Sequence, residues 1–288
     1  KRQKVTGEIG VTFGSAGPGA VHLLNGLYDA QYDHVPVLAL VGQVPTSAMN
    51  TNYFQELNEN PMFADVSVYN RTVMTAEQMP AVVDEAIRQA YAKRGVAVIT
   101  IPKDLGWQEI EDNYISSANL YQKPLPLEPD SERIQQAWKI LKEAKHPLIY
   151  IGQGTRGARE EVLALSKMLQ APILSSALAK GIVPDNAPAY MGSAGRVASK
   201  PGVEIASNTD AVLFLGSDMP FQSFFIPEDA KYIQVDIDGT KFGRRHQVDL
   251  AILADAKLTI KKLMEIGEQL PETAWYRAAL ACLLYTSD

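Results

Sequence analysis

Uninterrupted apolar runs of strand length recur along this chain and alternate with segments of helical periodicity. They fall at Ile9–Phe13, Val35–Val41, Val96–Ile101, Leu148–Ile151, Ile173–Ser175, Ala211–Leu215 and Tyr232–Ile237. A strand with one face in water alternates apolar and polar residues, whereas a continuous run needs cover on both faces. Helices packed on both sides of a parallel sheet provide that cover. The helical segments fit this scheme. Pro18–Ala30 opens with proline, harmless in a first turn whose N–H has no helical partner. Thr75 is placed to cap a helix running to Arg94, with Val82, Val83, Ala86, Ile87 and Ala90 on one stripe. Asp130 is placed likewise before Ile134, Ala137, Trp138 and Leu141, and Arg159–Leu169 and Ala256–Leu270 are amphipathic. The expected fold class is α/β, with parallel sheets flanked by helices.

Residues 116–130, SSANLYQKPLPLEPD, contain three prolines and no sustained period, the composition of a linker. One α/β domain is expected before it and a second after it. The chain's net charge of −6 argues against nucleic acid as a partner. No apolar run reaches the roughly 18 residues of a membrane span. The start, KRQKVTGEIG, has basic residues but no apolar segment behind them, so no signal peptide is expected and a cytoplasmic location is. It also lacks Met, which places the expected natural start upstream. The single cysteine, Cys282, excludes an intrachain disulfide, and His22, His34, His146 and His246 lack metal-ligand spacing, so no metal ligands are assigned.

Two glycine turns follow strand-like runs. Gly14-Ser-Ala-Gly17-Pro-Gly19 leads into a helix but is followed by Ala20 and Val21, without the lysine of a Walker A loop. By itself it reads equally as a tight strand-to-helix turn. Gly152-Gln-Gly154-Thr-Arg156-Gly157 matches G-x-G-x-x-G after the strand PLIYI. An NAD site of that kind also needs an acid at the end of the next strand, where this chain has Ser175 and Ser176. NAD is therefore disfavoured, a nucleotide held otherwise stays open, and Arg156 could pair with a diphosphate. Further loops at Gly192–Arg196, Gly216–Phe221 and Gln234–His246 lie where open parallel sheets bind ligands. Asp236 and Asp238 are expected to alternate on a strand end, one of them available to a ribose hydroxyl.

Taken together, GSAGPG…HLLNGLYDA, DHVPVLALVGQ, FQELNENP, GVAVITIPKDL, LGSDMPF and DIDGTKFGRRH resemble the pyruvate oxidase family of the acetolactate synthase superfamily, from Gly7 to about Ala281. The resemblance implies a partial thiamine-diphosphate pyrimidine-binding domain at 1–115, the linker at 116–130 and a Rossmann-like FAD-binding middle domain at 131–270. Residues 271–288 would begin a further segment, with a tail from 282, CLLYTSD, that has no family counterpart.

The cofactors implied are thiamine diphosphate, FAD and Mg²⁺, the last held by a further domain outside this chain. His22, Phe54 and Gln55 would line the reaction chamber, and Gly14, Gly17, Gly19 and Gln43 would belong to the thiamine site. Gly152, Gly154 and Arg156 would hold the FAD diphosphate. Lys180, Gly181, Gly192, Ser193 and Arg196 would border the flavin's tail, with Asp236, Ile237 and Asp255 at the adenosine end. The implied reaction converts pyruvate, phosphate and O2 to acetyl phosphate, CO2 and H2O2, with the active site shared between self-associated subunits. As a fragment without the family's activating glutamate, the chain alone is expected to be inactive. Acetolactate synthase, quinone-dependent pyruvate dehydrogenase and a non-catalytic nucleotide-binding module are the rival readings.

Overall fold

The computed structural model describes residues 6–117, 120–217 and 225–284. The chain divides into two compact units, residues 1–124 and 125–288.

The first unit is a four-stranded parallel sheet of β1 (Gly10–Gly14), β2 (Val37–Gln43), β3 (Ser67–Thr72) and β4 (Val96–Pro102), in the order β1-β2-β4-β3. Helix α1 (Pro18–Tyr32) and the short α2 (Glu59–Phe63) cover one face, and α3 (Met79–Lys93) covers the other. Alternation along β4 divides its side chains between two cores. Val96 and Val98 pack with Ala20, Leu27 and Phe63, while Ala97 and Ile99 pack with Ala86 and Ala90.

The second unit is a six-stranded parallel sheet of β5 (Pro147–Ile151), β6 (Ile173–Ser175), β7 (Tyr190–Ser193), β8 (Ala211–Leu215), β9 (Lys231–Asp236) and β10 (Leu250–Leu253). Its order is β10-β9-β8-β5-β6-β7. The chain starts in the centre at β5, winds outward through β6 and β7, returns to β8 beside β5, and winds out the other way. That is the doubly wound dinucleotide order, with its reversal between β5 and β8. The principal core lies under α4 (Ser131–Glu143), α5 (Arg159–Leu169) and α7 (Ala256–Ile266), around Ile149, Ile151, Leu213 and Val235. Tyr150, Phe214 and Tyr232 face the other side with Ile205 of α6 (Lys200–Ser207) and Ala279 of α8 (Ala274–Leu284).

The seven strands expected from apolar runs are all present among the described residues, two with the expected ends and five with ends shifted by one or two residues. The three missed strands, β3, β7 and β10, are all edge strands. SVYNRT, YMGS and LAIL are too polar or too short to read as buried runs, because an edge strand needs less apolar cover.

Two helix boundaries differ from expectation by more than two residues. Thr75 precedes a 3₁₀ turn at Ala76–Gln78 and makes no side-chain cap, and the α-helix begins at Met79 with Pro80 in its first turn. Proline has no N–H to donate and fits a helix start, so it sets the boundary. Helix α7 stops at Ile266, and Gly267 follows it as the terminal residue. Asp130 does cap α4, accepting from Arg133 N at 3.0 Å.

One buried carboxylate organises the segment after β4. Asp84 of α3 accepts from Tyr114 Oη at 2.9 Å, Ser116 Oγ at 2.8 Å and Ser117 N at 2.7 Å. Burial pushes its pKa up, but the Ser117 amide and the two hydroxyls outweigh this and hold it below the usual value. Removing Asp84 orphans three donors at once. Asp84→Ala is expected to destabilise the first unit by about 1–3 kcal/mol and to speed limited proteolysis near residue 117. Unchanged cleavage would show that the segment is held by other contacts.

Candidate functional site

Each unit gathers the sequence-selected residues at the carboxyl edge of its own sheet, where strand ends release loops. In the first unit the turn after β1 is filled by its own backbone. A Cβ at Gly14 would stand 2.6 Å from the Gly19 carbonyl oxygen, so Gly14 and Gly19 close the turn on itself. Gly17, at φ +66°, faces another partner: a Cβ there would meet the Gln55 carbonyl oxygen at 2.8 Å. A side chain at Gly17 would thus be strained and would displace the loop that carries Phe54 and Gln55. On its Gly17 side this turn packs against the backbone of Gln55.

That loop is held by several devices. Gln43, 5% exposed at the end of β2, donates from Nε2 to the Leu57 carbonyl at 2.7 Å and accepts from Val44 N at 2.8 Å. Its amide is thereby committed to positioning residues 43–57. The Glu56 carboxylate accepts from the backbone amides of Asn50 and Tyr53, and these bonds lower its pKa. Asn50, Asn52 and Gln55 all have positive φ. Phe54 is 80% exposed on this loop, and His22 is exposed one turn into α1. Asp104, after β4, accepts from Thr46 Oγ1 at 2.6 Å and Thr46 N at 2.9 Å, tying the β2 and β4 exits together.

In the second unit the G-x-G turn lies at the topological switch. Gly152 N donates to the Leu215 carbonyl at 2.9 Å, and Gly154 N donates to the Gly216 carbonyl at 3.2 Å. A Cβ at Gly154 would lie 2.7 Å from Gly216 Cα, so the exits of β5 and β8 approach backbone to backbone. The turn does not open the helix directly. A 3₁₀ turn at Gln153–Thr155 intervenes, and α5 starts at Arg159. Arg156 is exposed on that connection.

Around the same edge, Lys180 pairs with Asp185 at 2.7 Å, which raises its pKa. Arg159 secures the adjacent bend by donating to the carbonyls of Ile182 at 2.6 Å and Gly181 at 3.1 Å. Gly192 ends β7 with Ser193, whose Oγ donates to the Val197 carbonyl at 3.1 Å, and Arg196 is exposed between them. Residues Asp218–Phe221 of the GSDMPF loop lie outside the described residues.

The expected alternation of Asp236 and Asp238 on one strand is corrected. Strand β9 ends at Asp236, whose Oδ1 accepts from Asp238 N at 2.9 Å, while Asp238 caps the next turn by accepting from Thr240 N at 3.0 Å. The chain turns at Ile237 because short acidic side chains offer the backbone a local partner. Asp255 caps α7, accepting from Leu258 N at 3.0 Å.

Ser175, at the usual place of a ribose-binding acid, is fully buried and shares a 2.8 Å hydrogen bond with Tyr190 Oη. Leu178, Val197, Ile237 and Leu253 are exposed beyond or at the ends of β6, β7, β9 and β10. A row of apolar side chains along several strand exits, with basic groups at Arg156 and Arg196, fits an elongated ligand with an apolar ring system and a diphosphate. Among the described residues no group of three or more His, Cys, Asp or Glu side chains could hold a metal ion. Glu59, whose sequence context does not match an activating glutamate, and Thr100 are both buried, which nothing in the local sequence marks.

The chain matches two family models, "Thiamine pyrophosphate enzyme, N-terminal TPP binding domain" over residues 2–62 and "Thiamine pyrophosphate enzyme, central domain" over residues 134–263. It is 50% identical over 281 residues to "Pyruvate oxidase" of Lactiplantibacillus plantarum, covering 96% of this chain and 47% of that protein. It is 40% identical over 266 residues to "Putative thiamine pyrophosphate-containing protein YdaP" of Bacillus subtilis, covering 92% and 46%. A third relative, "Uncharacterized 42.6 kDa protein in isoamylase 3'region" of Pseudomonas amyloderamosa, is 34% identical over 96% of this chain and 70% of its own length. The chain spans about half the length of the first two relatives. With both family models placed on parallel α/β sheets, the chain belongs to the thiamine pyrophosphate enzyme family.

Proposed function

We propose that this chain forms the pyrimidine-side and flavin-side domains, 1–115 and 131–270, of a cytoplasmic pyruvate oxidase that converts pyruvate, phosphate and O2 to acetyl phosphate, CO2 and H2O2. The observation that carries this reading is the 50% identity to a pyruvate oxidase across both units. Thiamine diphosphate would supply decarboxylation of the keto acid and FAD the acceptance of its electrons, with Mg²⁺ anchoring the diphosphate from outside these two domains. The chain's own residues position and enclose. Phe54 and Gln55, on the loop braced by Gly17, Gln43 and Glu56, would close the reaction chamber together with His22. Self-association would complete that chamber with a second subunit.

On the second unit, Gly152, Gly154 and Arg156 would face the flavin nucleotide's diphosphate at the switch point. Lys180, Gly181, Gly192, Ser193 and Arg196 would border its tail, with Ile237 against the adenosine. Asp236 and Asp255 would act indirectly, because their carboxylates already hold backbone amides.

Titration of the folded chain with FAD, following flavin fluorescence with NAD and ADP as competitors, tests this reading. Saturable quenching that NAD does not displace is expected. A folded sample, judged by circular dichroism, that binds FAD no better than NAD would overturn the flavin assignment.

A further inference from the structure

Behind the Phe54–Gln55 loop lies a buried acid that the proposed chemistry does not use. Glu59, the first residue of α2, is 2% exposed, and neither carboxyl oxygen has a hydrogen-bond partner. Thr100 of β4 is 1% exposed, and its hydroxyl is also unpartnered. Three orphaned polar atoms in a well-packed core call for an explanation, since nearly all such groups are paired.

Their placement relative to the loop supplies one. Val96 and Val98 belong to the core beneath α1 and α2, so Thr100, two positions onward, faces the same side nearer the carboxyl edge. Ala39, Val41 and Gln43 share that face on β2, and Gln43 grips Leu57. The segment from Phe54 to Glu59 is therefore anchored twice, at Leu57 by an amide and at Glu59 by burial.

Among the described residues, no cation compensates Glu59 from the elements around it. Strands β2 and β4, VLALVGQ and VAVITIP, carry no titratable residue. On β3, Asn70 and Thr72 bond to Asn60 of α2, which leaves Tyr69 and Arg71 on the opposite face, with Arg71 stacked over Tyr69. In the loop, Glu56 is engaged by amides and Tyr53 is exposed. On α1, His22 is exposed and Tyr28 bonds Asp65, while Asp29, Tyr32 and Asp33 lie where the helix returns to the far edge of the sheet. Desolvation accordingly pushes the Glu59 carboxyl up to about 7; the Thr100 hydroxyl is near enough to favour the carboxylate slightly but lies outside hydrogen-bond geometry.

We propose that Glu59 is a positioning residue for the candidate reaction chamber: carried as an uncharged acid, it seats the Phe54–Gln55 loop, and its ionisation unseats that loop. On ionisation the proton leaves to solvent, and the carboxylate must be rehydrated. Helix α2 has only five residues, and the loop before it already holds three positive-φ residues, so movement of Glu59 reaches Gln55 directly. The consequence for turnover rests on the function proposed above; the seating itself does not.

Hydrogen exchange of the full chain tests this, reading peptides across residues 50–58 at about pH 6 and about pH 8.5 and correcting for intrinsic exchange. At the higher value the ionised form outweighs the neutral one by roughly thirtyfold, so protection of this loop should fall by about tenfold or more. Glu59→Gln should stay protected at both values. Equal protection of the parent at both values, or a parallel loss in Glu59→Gln, overturns the proposal. Should Glu59→Gln fold poorly, Thr100→Val serves instead, because removing the hydroxyl that favours the carboxylate should move the midpoint of the loss to higher pH. An unmoved midpoint with the protein folded also overturns it. FAD binding measured on the same samples reports the functional reading separately.

Discussion

Gly216→Ala is expected to destabilise the second unit by about 2–5 kcal/mol and to abolish the flavin-nucleotide binding proposed for it. Two independent costs add at this position. The native φ is +61°, a left-handed conformation that an alanine adopts at about 1–2 kcal/mol. The new Cβ would also lie 2.8 Å from Gly154 N and 3.0 Å from Gly154 C, against backbone that cannot rotate aside. Relief requires β5 and β8 to part, yet Gly152 N and Gly154 N are bonded across that seam. Urea unfolding followed by Trp138 and Trp275 fluorescence would measure the first effect and FAD titration the second. Retention of both stability and binding would show that the β5 and β8 exits are looser than their hydrogen bonds imply.

Stability of the first unit is expected to fall as pH rises from about 5 to about 8, by up to about 3 kcal/mol, through Glu59 alone. Its pKa is about 7 in the folded protein against 4.5 in the unfolded chain. The folded state therefore holds a proton that the unfolded state has released. This contribution is fully present below the unfolded value and is lost as pH passes through about 7. Glu59→Gln keeps the uncharged shape, so it should match the parent in acid and exceed it in mild base. Parallel urea midpoints for parent and variant across that range would sink the prediction. Asp84 and Glu56 work in the other direction, since their carboxyls are held low by donors and their contributions disappear as pH falls. The first unit is thus bounded on both sides of neutrality by different carboxyl groups.

Glu59 and Asp84 also mark where sequence reading stops. Both precede or sit within helical stretches of ordinary polarity, and neither residue type announces burial. Asp84 becomes a hub because Tyr114, Ser116 and Ser117, some thirty residues away, return to it. Ser175 was legible as the absence of a ribose-binding acid, but its bond to Tyr190 required β7, an edge strand that no apolar run betrays. Asp236 and Asp238 were legible as a polar strand exit; that they spend their carboxylates on the next backbone amides was not.

The sequence by itself determined the elements whose causes are local. Continuous apolar runs specified the central strands, amphipathic stripes the covering helices, and Asp130 a helix start. Proline and glycine marked the punctuation, and the absence of a lysine or a ribose-binding acid removed two nucleotide motifs. Only the tertiary structure decided what the glycines and carboxyls do. Gly17 faces Gln55, Gly154 faces Gly216, and Glu59 lies beside Thr100 because segments distant in sequence are brought within a few ångströms. Close backbone approach and desolvation are properties of such neighbourhoods, and a neighbourhood exists only once the chain has folded.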